Sequence, residues 1–278
     1  MGVKLVVLDF DGTLTDVDKE AVPFVEGYKT NLAERLNVGR RQLEPQWREA
    51  EATIESNPSQ YGWLMNGKIV APAYADPLIM SRTIAGLLLK ETGSFRDESS
   101  RDEVLDALFK ENYGKLGIAF KDEADRFLTE LKCQFGTYVV TNSGTDGVSR
   151  KVKQLPTDHA DIPIRGDAKK YVLVPEWIDV PESVERDGFG RLLFLQRQKY
   201  WNVFAEIMRE GDYTPEQVAV VGDIYELDLL LPEHKGMNIV LTPRDSTPDF
   251  EVQAVASSPR GYVARDLGKA LEHLESLR

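Results

Sequence analysis

The chain has 278 residues, enough for one large domain or a core carrying an inserted one. Hydrophobic residues make up 42 % and charged residues 29 %, which excludes a disordered chain, and no stretch reaches the roughly 18–20 apolar residues of a membrane span. Lys+Arg 34 against Asp+Glu 46 gives a net charge of −12, which argues against nucleic acid or an anionic membrane as partner, though not against an anionic substrate met by a local cation.

The first element, Val3-Lys4-Leu5-Val6-Val7-Leu8, is β-rich and almost continuously apolar, as a strand buried on both faces should be. The next hundred or so residues read mainly as helices, near Ala21–Leu36, Arg41–Ser56, Asp76–Lys90 and Ser99–Tyr113. Asn57–Ala75 breaks that pattern with Pro58, Gly62, Gly67 and Pro72, and is expected to be irregular. Helical periodicity returns with Ala124, Phe127, Leu128 and Leu131, followed by the strand Tyr138-Val139-Val140. A second irregular stretch, Pro175–Gly190, carries Asp187-Gly188 ahead of Arg191-Leu192-Leu193-Phe194-Leu195 and predicts a hairpin or loop insertion. Trp201, Phe204, Ala205 and Met208 mark another helix, and two more buried strands follow at Val218–Val221 and Ile239–Leu241. Leu267, Ala270, Leu271 and Leu274 form the last helical stripe.

Buried strands alternating with amphipathic helices predict an α/β fold, a doubly wound parallel sheet with helices on both faces. The helical stretch after the first strand has apolar stripes of its own and predicts an inserted domain. The expected division is residues 1–16 and 119–278 for the α/β core and 17–118 for the insertion.

Chemistry concentrates at strand ends, where open α/β sheets bind ligands. Asp9-Phe10-Asp11-Gly12-Thr13 directly follows the first strand. Thr141-Asn142-Ser143-Gly144 closes the second, and Gly222-Asp223-Ile224-Tyr225-Glu226-Leu227-Asp228 closes the third. One such loop is ordinary turn chemistry. Three on neighbouring parallel strands would build an acidic, hydroxyl-lined pocket of the kind that holds Mg²⁺ and a phosphate.

In these motifs the sequence resembles the haloacid dehalogenase-like superfamily. Asp9-Phe10-Asp11-Gly12-Thr13 matches its first motif, Thr141-Asn142 its second, and Asp223 with Asp228 its fourth. The helical insertion is placed like that family's C1-type cap. The third motif, a lysine, has three candidates: Lys199, which opens the helix leading to the motif-four strand, and Lys170 or Lys169 further upstream. Lys199 is the favoured choice because it precedes the matching helix.

The resemblance implies a Mg²⁺-dependent phosphatase acting on a small phosphorylated metabolite. Asp9 would be the nucleophile that forms an aspartyl-phosphate, and Asp11 the acid and base. Mg²⁺ would be held by Asp9, the Asp11 backbone carbonyl and Asp223, with Asp228 direct or through water. Thr141, Asn142, Ser143 and the lysine would bind the phosphate oxygens. A phosphomutase using the same intermediate is the first alternative. Halide removal is disfavoured by Asp11, which the family's dehalogenases lack, and a catalytically silent binding protein by the full set of carboxylates.

The remaining signals are weaker. Cys133, the single cysteine, excludes an internal disulfide and sits in a helical pattern that predicts buried filler. His159, His234 and His273 are scattered and expected at the surface or in loops. Tyr61, Trp63, Lys68 and Arg82 could read a substrate, whereas Trp47 reads as core of the insertion. The N-terminal run lacks a basic leader and a long apolar segment, so a cytoplasmic location is expected.

Overall fold

The structure, a computed structural model, describes residues 2–93, 95 and 97–278. The chain divides into two compact units: the residues up to Asp16 together with Phe120–Arg278, and Val17–Ala119. In chain order, β1 (Leu5–Leu8) leads into the inserted unit. That unit holds α1 (Val17–Arg35), α2 (Arg40–Ser56), β2 (Gly62–Met65), β3 (Lys68–Pro72), α3 (Pro77–Glu91) and α4 (Glu98–Tyr113). The first unit resumes with α5 (Ala124–Gln134), β4 (Gly136–Val140), α6 (Thr145–Val152) and β5 (Ile164–Arg165). The hairpin strands β6 (Ser183–Val184) and β7 (Leu193–Phe194) precede α7 (Gln198–Gly211). Then come β8 (Val218–Gly222), α8 (Leu230–His234), β9 (Asn238–Leu241), α9 (Asp249–Ser257), β10 (Gly261–Val263) and α10 (Leu267–Ser276).

Six strands form the main sheet in the order β10-β9-β8-β1-β4-β5, and every pairing is parallel. The chain therefore starts at the centre of the sheet and winds outward to both edges. Side-chain alternation along β1 sets the two layers. Leu5 and Val7 pack with Val218, Val220, Phe204 and Ile207 on one face. Val6 and Leu8 pack with Ala219, Val221, Phe127 and Leu128 on the other. All four β1 residues are buried, each contributing about 1.5–3 kcal/mol of transfer free energy. A strand covered on both sides has no polar face to present, which explains its unbroken apolar run.

The inserted unit packs α1 to α4 around its own core, which includes Phe24, Tyr28, Leu43, Trp47, Ile84 and Leu108. Asn57–Ala75 is more ordered than expected, because β2 and β3 pair as an antiparallel hairpin within it. Asn66 and Gly67 both take positive φ, 51° and 74°, as a two-residue hairpin turn requires. Arg82 is tied within this unit, 2.8 Å from Asp106 on α4.

Two strands of the main sheet, β5 and β10, escaped the sequence pattern because they are two and three residues long and only half-buried. One single residue also departs from expectation: Cys133 is exposed, on the outer face of α5. His159 lies in a loop and is buried there, its Nε2 3.0 Å from Asp125 Oδ1. Among the described residues, no helix is long and apolar enough to cross a membrane.

Candidate active site

Parallel register brings three motifs level. Leu8 pairs with Val221 on one side and Val139 on the other, so β8, β1 and β4 end at the same height. The residues just beyond these ends are Asp223, Asp9 and Thr141. The Asp9 N–H still donates to the Val221 carbonyl at 2.9 Å, which fixes the residue at the end of the central strand. Gly12 turns the chain away with φ of +87°, and a Cβ there would sit 2.2 Å from Asp223 Oδ2. Only glycine allows that approach.

Asp9, Asp223 and Asp228 are all buried, with one carboxylate oxygen from each within 4.8 Å of the others. Lys170 Nζ lies 2.6 Å from Asp9 Oδ1 and 2.8 Å from Asp228 Oδ1. The second Asp228 oxygen accepts the Ile224 N–H at 3.1 Å, so both of its oxygens are occupied. The Thr13 hydroxyl lies 3.2 Å from Asp9 Oδ2 and 3.5 Å from Asp223 Oδ1, with one proton to offer between them. Arg244 Nε stands 2.9 Å from Asp223 Oδ2, yet its N–H is not aimed at that oxygen, which stays buried without a hydrogen bond.

Asp11 is separate from this cluster. Its Oδ2 accepts the Ser143 hydroxyl at 2.6 Å and the Thr141 hydroxyl at 3.4 Å, and Lys151 Nζ on α6 lies 3.2 Å from Oδ1. Its side chain thus faces the β4 exit while its backbone lies beside Asp9. Thr141 Oγ1 also accepts the Ser143 N–H at 3.1 Å, closing the turn.

Lys170, and not Lys199, lies among these carboxylates. Lys199 occupies the second position of α7 and is exposed. Its neighbour Tyr200 turns inward instead, donating its hydroxyl to the Asp228 carbonyl at 2.9 Å, its ring 5.5 Å from Lys170 Nζ. Lys170 arrives on a loop hydrogen-bonded to the β4 exit. Asp167 N–H donates to the Ser143 carbonyl at 3.0 Å and Ala168 N–H to the Thr141 carbonyl at 2.9 Å. The Lys170 N–H then donates to Asn142 Oδ1 at 2.8 Å, so the Asn142 side chain anchors the lysine's backbone. Lys169 points elsewhere, 3.1 Å from Asp167.

Burial drives the electrostatics. Desolvation pushes the Asp9 carboxyl well above its usual range, against the pull of Lys170, and Asp228 and Asp223 push the same way. Asp223 is pushed up to about 7 by burial, with Arg244 opposing. Desolvation disfavours the Lys170 ammonium, but Asp228 and Asp9 outweigh it and keep the amine charged. The cluster therefore carries more buried negative charge than its cations cover. Hard oxygen donors in surplus, one of them without a hydrogen bond, fit a divalent cation.

Several of these residues carried no sequence signal. Arg244 follows the end of β9 and could have been found by extending the strand-end rule to a fourth strand. Lys151 on α6 sits in unremarkable local sequence, and only the tertiary fold brings it in.

A sequence profile of the haloacid dehalogenase-like hydrolases matches residues 3–231, and the chain belongs to that family. Solved structures of the same fold include a predicted phosphoglycolate phosphatase of Haemophilus somnus, 16 % identical, with a TM-score of 0.56, covering 98 % of this chain and 97 % of that one. The HAD-hydrolase YfnB of Bacillus subtilis, bound to magnesium, is 16 % identical with a TM-score of 0.54, covering 99 % and 100 %. A haloacid dehalogenase-like hydrolase of Xanthomonas campestris is 13 % identical with a TM-score of 0.52, covering 99 % and 92 %. No curated protein matches the chain in sequence.

Proposed function

We propose that this hydrolase is a Mg²⁺-dependent phosphatase of small phosphomonoesters, working through an aspartyl-phosphate on Asp9. The observation that carries the reading is the pairing of Asp9 with a second, separately held carboxylate, Asp11. A halide leaves as a stable anion and needs no proton. An alkoxide leaving from phosphorus does, and Asp11 is the group to supply it. The magnesium in YfnB and the phosphatase assignment of the Haemophilus somnus protein point in the same direction.

In the first step Asp9 attacks phosphorus, the ester P–O bond breaks, and Asp11 gives its proton to the departing oxygen. In the second, Asp11 takes a proton from water, the resulting hydroxide attacks phosphorus, and inorganic phosphate leaves with Asp9 restored. Asp9, the Asp11 carbonyl and Asp223 would hold Mg²⁺, whose contribution is to offset negative charge on the phosphoryl oxygens. Lys170 offsets the rest and opposes the rise that burial gives the Asp9 carboxyl. Thr141 and Ser143 offer hydroxyls on the phosphate side, while Asn142 acts through Lys170. The small soluble substrate and cytoplasmic setting complete the reading.

The test is a screen of phosphomonoesters and 2-haloacids, with Mg²⁺ and with chelator, coupled to mass spectrometry for a phosphate adduct on Asp9. Phosphate release that needs Mg²⁺ is the expected result. Halide release in chelator, with no phosphate release, would overturn the proposal. A phosphomutase would instead return an isomeric phosphate ester from a sugar phosphate.

A further inference from the structure

We propose that Arg197 is a positioning residue, which ties the loop carrying Lys170 to the turn carrying Asp228 and so seats the ammonium between Asp9 and Asp228. The proposal rests on the role given to Lys170 in the phosphatase reading. Arg197 is fully buried, an expensive place for a guanidinium when an apolar side chain would fill the same space. Its three nitrogens are spent on three different segments. Nε donates to the Phe194 carbonyl at 3.1 Å, Nη1 to the Lys170 carbonyl, and Nη2 to Glu226 Oε1 at 3.4 Å.

Glu226 is itself fully buried and is held a second time by Arg191, whose Nη1 lies 3.1 Å from Oε1 and whose Nη2 pairs with Oε2. Glu226 and Asp228 belong to one π-helical turn, Tyr225–Leu229. Residues two apart on such a turn face different ways. Asp228 faces Lys170 and Glu226 faces the arginines, so the turn is gripped on both sides. The contacts close a ring: Arg197 to the Lys170 carbonyl, along the lysine to Asp228, through the turn to Glu226, and back to Arg197. With Asn142 on its N–H and Arg197 on its carbonyl, both peptide groups of Lys170 are pinned. A flexible four-carbon stem can hold one position only if its root does not move. A planar fork can bond a carbonyl and a carboxylate at once, which an ammonium or an amide does less well.

The experiment compares Arg197→Met and Glu226→Gln with the wild-type chain. In Arg197→Met, Glu226 keeps Arg191, so no buried carboxylate is left without a partner. Reductive methylation of the native proteins, read by peptide mass spectrometry, reports Lys170 without reference to catalysis. Lys170 should be protected in the wild type and label roughly tenfold or more faster in both variants, while exposed Lys199 labels at an unchanged rate. Amide exchange of β1 and β8 serves as the control for general loosening and should match the wild type. Turnover should fall roughly tenfold or more in each variant, with no further loss when either is combined with Lys170→Ala. A folded Arg197→Met that leaves Lys170 protected, or losses that multiply with Lys170→Ala, would overturn the proposal. Glu226→Gln decides it by the same labelling if Arg197→Met does not fold. Should the wild type release no phosphate, the phosphatase reading fails while the labelling still judges Arg197.

Discussion

The Lys170 ammonium bridges Asp9 and Asp228, 2.6 Å from one carboxylate and 2.8 Å from the other, and is almost wholly shielded from water. Removing it leaves two buried carboxylates facing each other with no cation between them. Lys170→Ala should therefore lower turnover by roughly 10²–10³, the usual loss for one electrostatic contact to a developing charge. Lys199→Ala, on the exposed side of α7, should stay within about twofold of the wild type, as surface changes away from the site usually do. Steady-state rates on an activated aryl phosphate separate the two, and an impaired Lys199→Ala beside a normal Lys170→Ala would reverse the assignment.

The two motif-one carboxylates should fail differently. On the proposed mechanism Asp9→Asn removes the nucleophile and should abolish turnover on every substrate. Asp11→Asn leaves the Asp11 carbonyl in place and removes only proton transfer. Its loss should be roughly 10²–10⁴ on an alkyl phosphate and much smaller on an aryl phosphate, whose leaving oxygen needs little protonation. Equal losses on both substrates would speak against the role given to Asp11.

Metal addition should stabilise the fold, and more so at higher pH. The Asp223 carboxyl is raised from 3.8 to about 7, so between those values the folded chain binds more protons than the unfolded one. Stability without metal therefore falls as pH rises from about 4 to about 7, and the full penalty is present above that window. A cation that binds the ionised carboxylates offsets that penalty. At 100 times its Kd, Mg²⁺ should add about 2.7 kcal/mol, or roughly 5–10 °C in Tm for a chain of this size. Thermal melts in Mg²⁺ and in chelator should diverge more at pH 8 than at pH 5. An equal gap at both would count against the acidic cluster as the binding site.

Gly12→Ala tests the packing of motif one against motif four. Its backbone has φ of +87° and an added methyl would fall 2.2 Å from Asp223 Oδ2. The strained backbone alone should cost about 1–3 kcal/mol. Because Asp223 must also move, the Mg²⁺-dependent rise in Tm should shrink with it. A variant that melts lower but keeps the full Mg²⁺ increment would show that Asp223 is unaffected.

How far the sequence could be read depended on whether a feature was local. Asp9, Thr141 and Asp223 were legible because each ends a buried strand, and a parallel sheet brings strand ends together without further information. Lys199 was favoured because it opens the helix before the motif-four strand, whereas the structure sets Lys170 between Asp9 and Asp228. Between Lys170 and α7 the chain makes the β6–β7 excursion, whose Trp177, Phe189 and Leu195 join the core beside α7. The excursion returns to its starting point, where Val174 N–H donates to the Gln196 carbonyl at 2.8 Å and Arg197 meets the Lys170 carbonyl. Sequence distance grows while spatial distance does not. The β2–β3 hairpin was missed for another reason: its Asn66-Gly67 turn was read only as a break in helical periodicity. Buried Arg197 and half-buried Lys151 could not be found at all, since a charge placed by tertiary contacts is recognised only by what surrounds it.

The way the helical insertion is stitched in has a consequence for engineering. Within the α/β unit, Thr15 bridges to Phe120 and the Lys121 N–H donates to the Leu14 carbonyl at 3.0 Å. Within the insertion, the Gly117 N–H donates to the Glu20 carbonyl at 2.8 Å and the Ala119 N–H reaches Glu20 Oε1 at 3.2 Å. Each unit thus fastens its own pair of severed ends. Every contact described for the site lies in the α/β unit, and none of the sheet's pairings passes through the insertion. The insertion is in this sense a cassette: its exchange for a short glycine bridge between Asp16 and Phe120 should leave the sheet's register and the placement of Asp9 unchanged, which amide exchange of β1 and β8 would read.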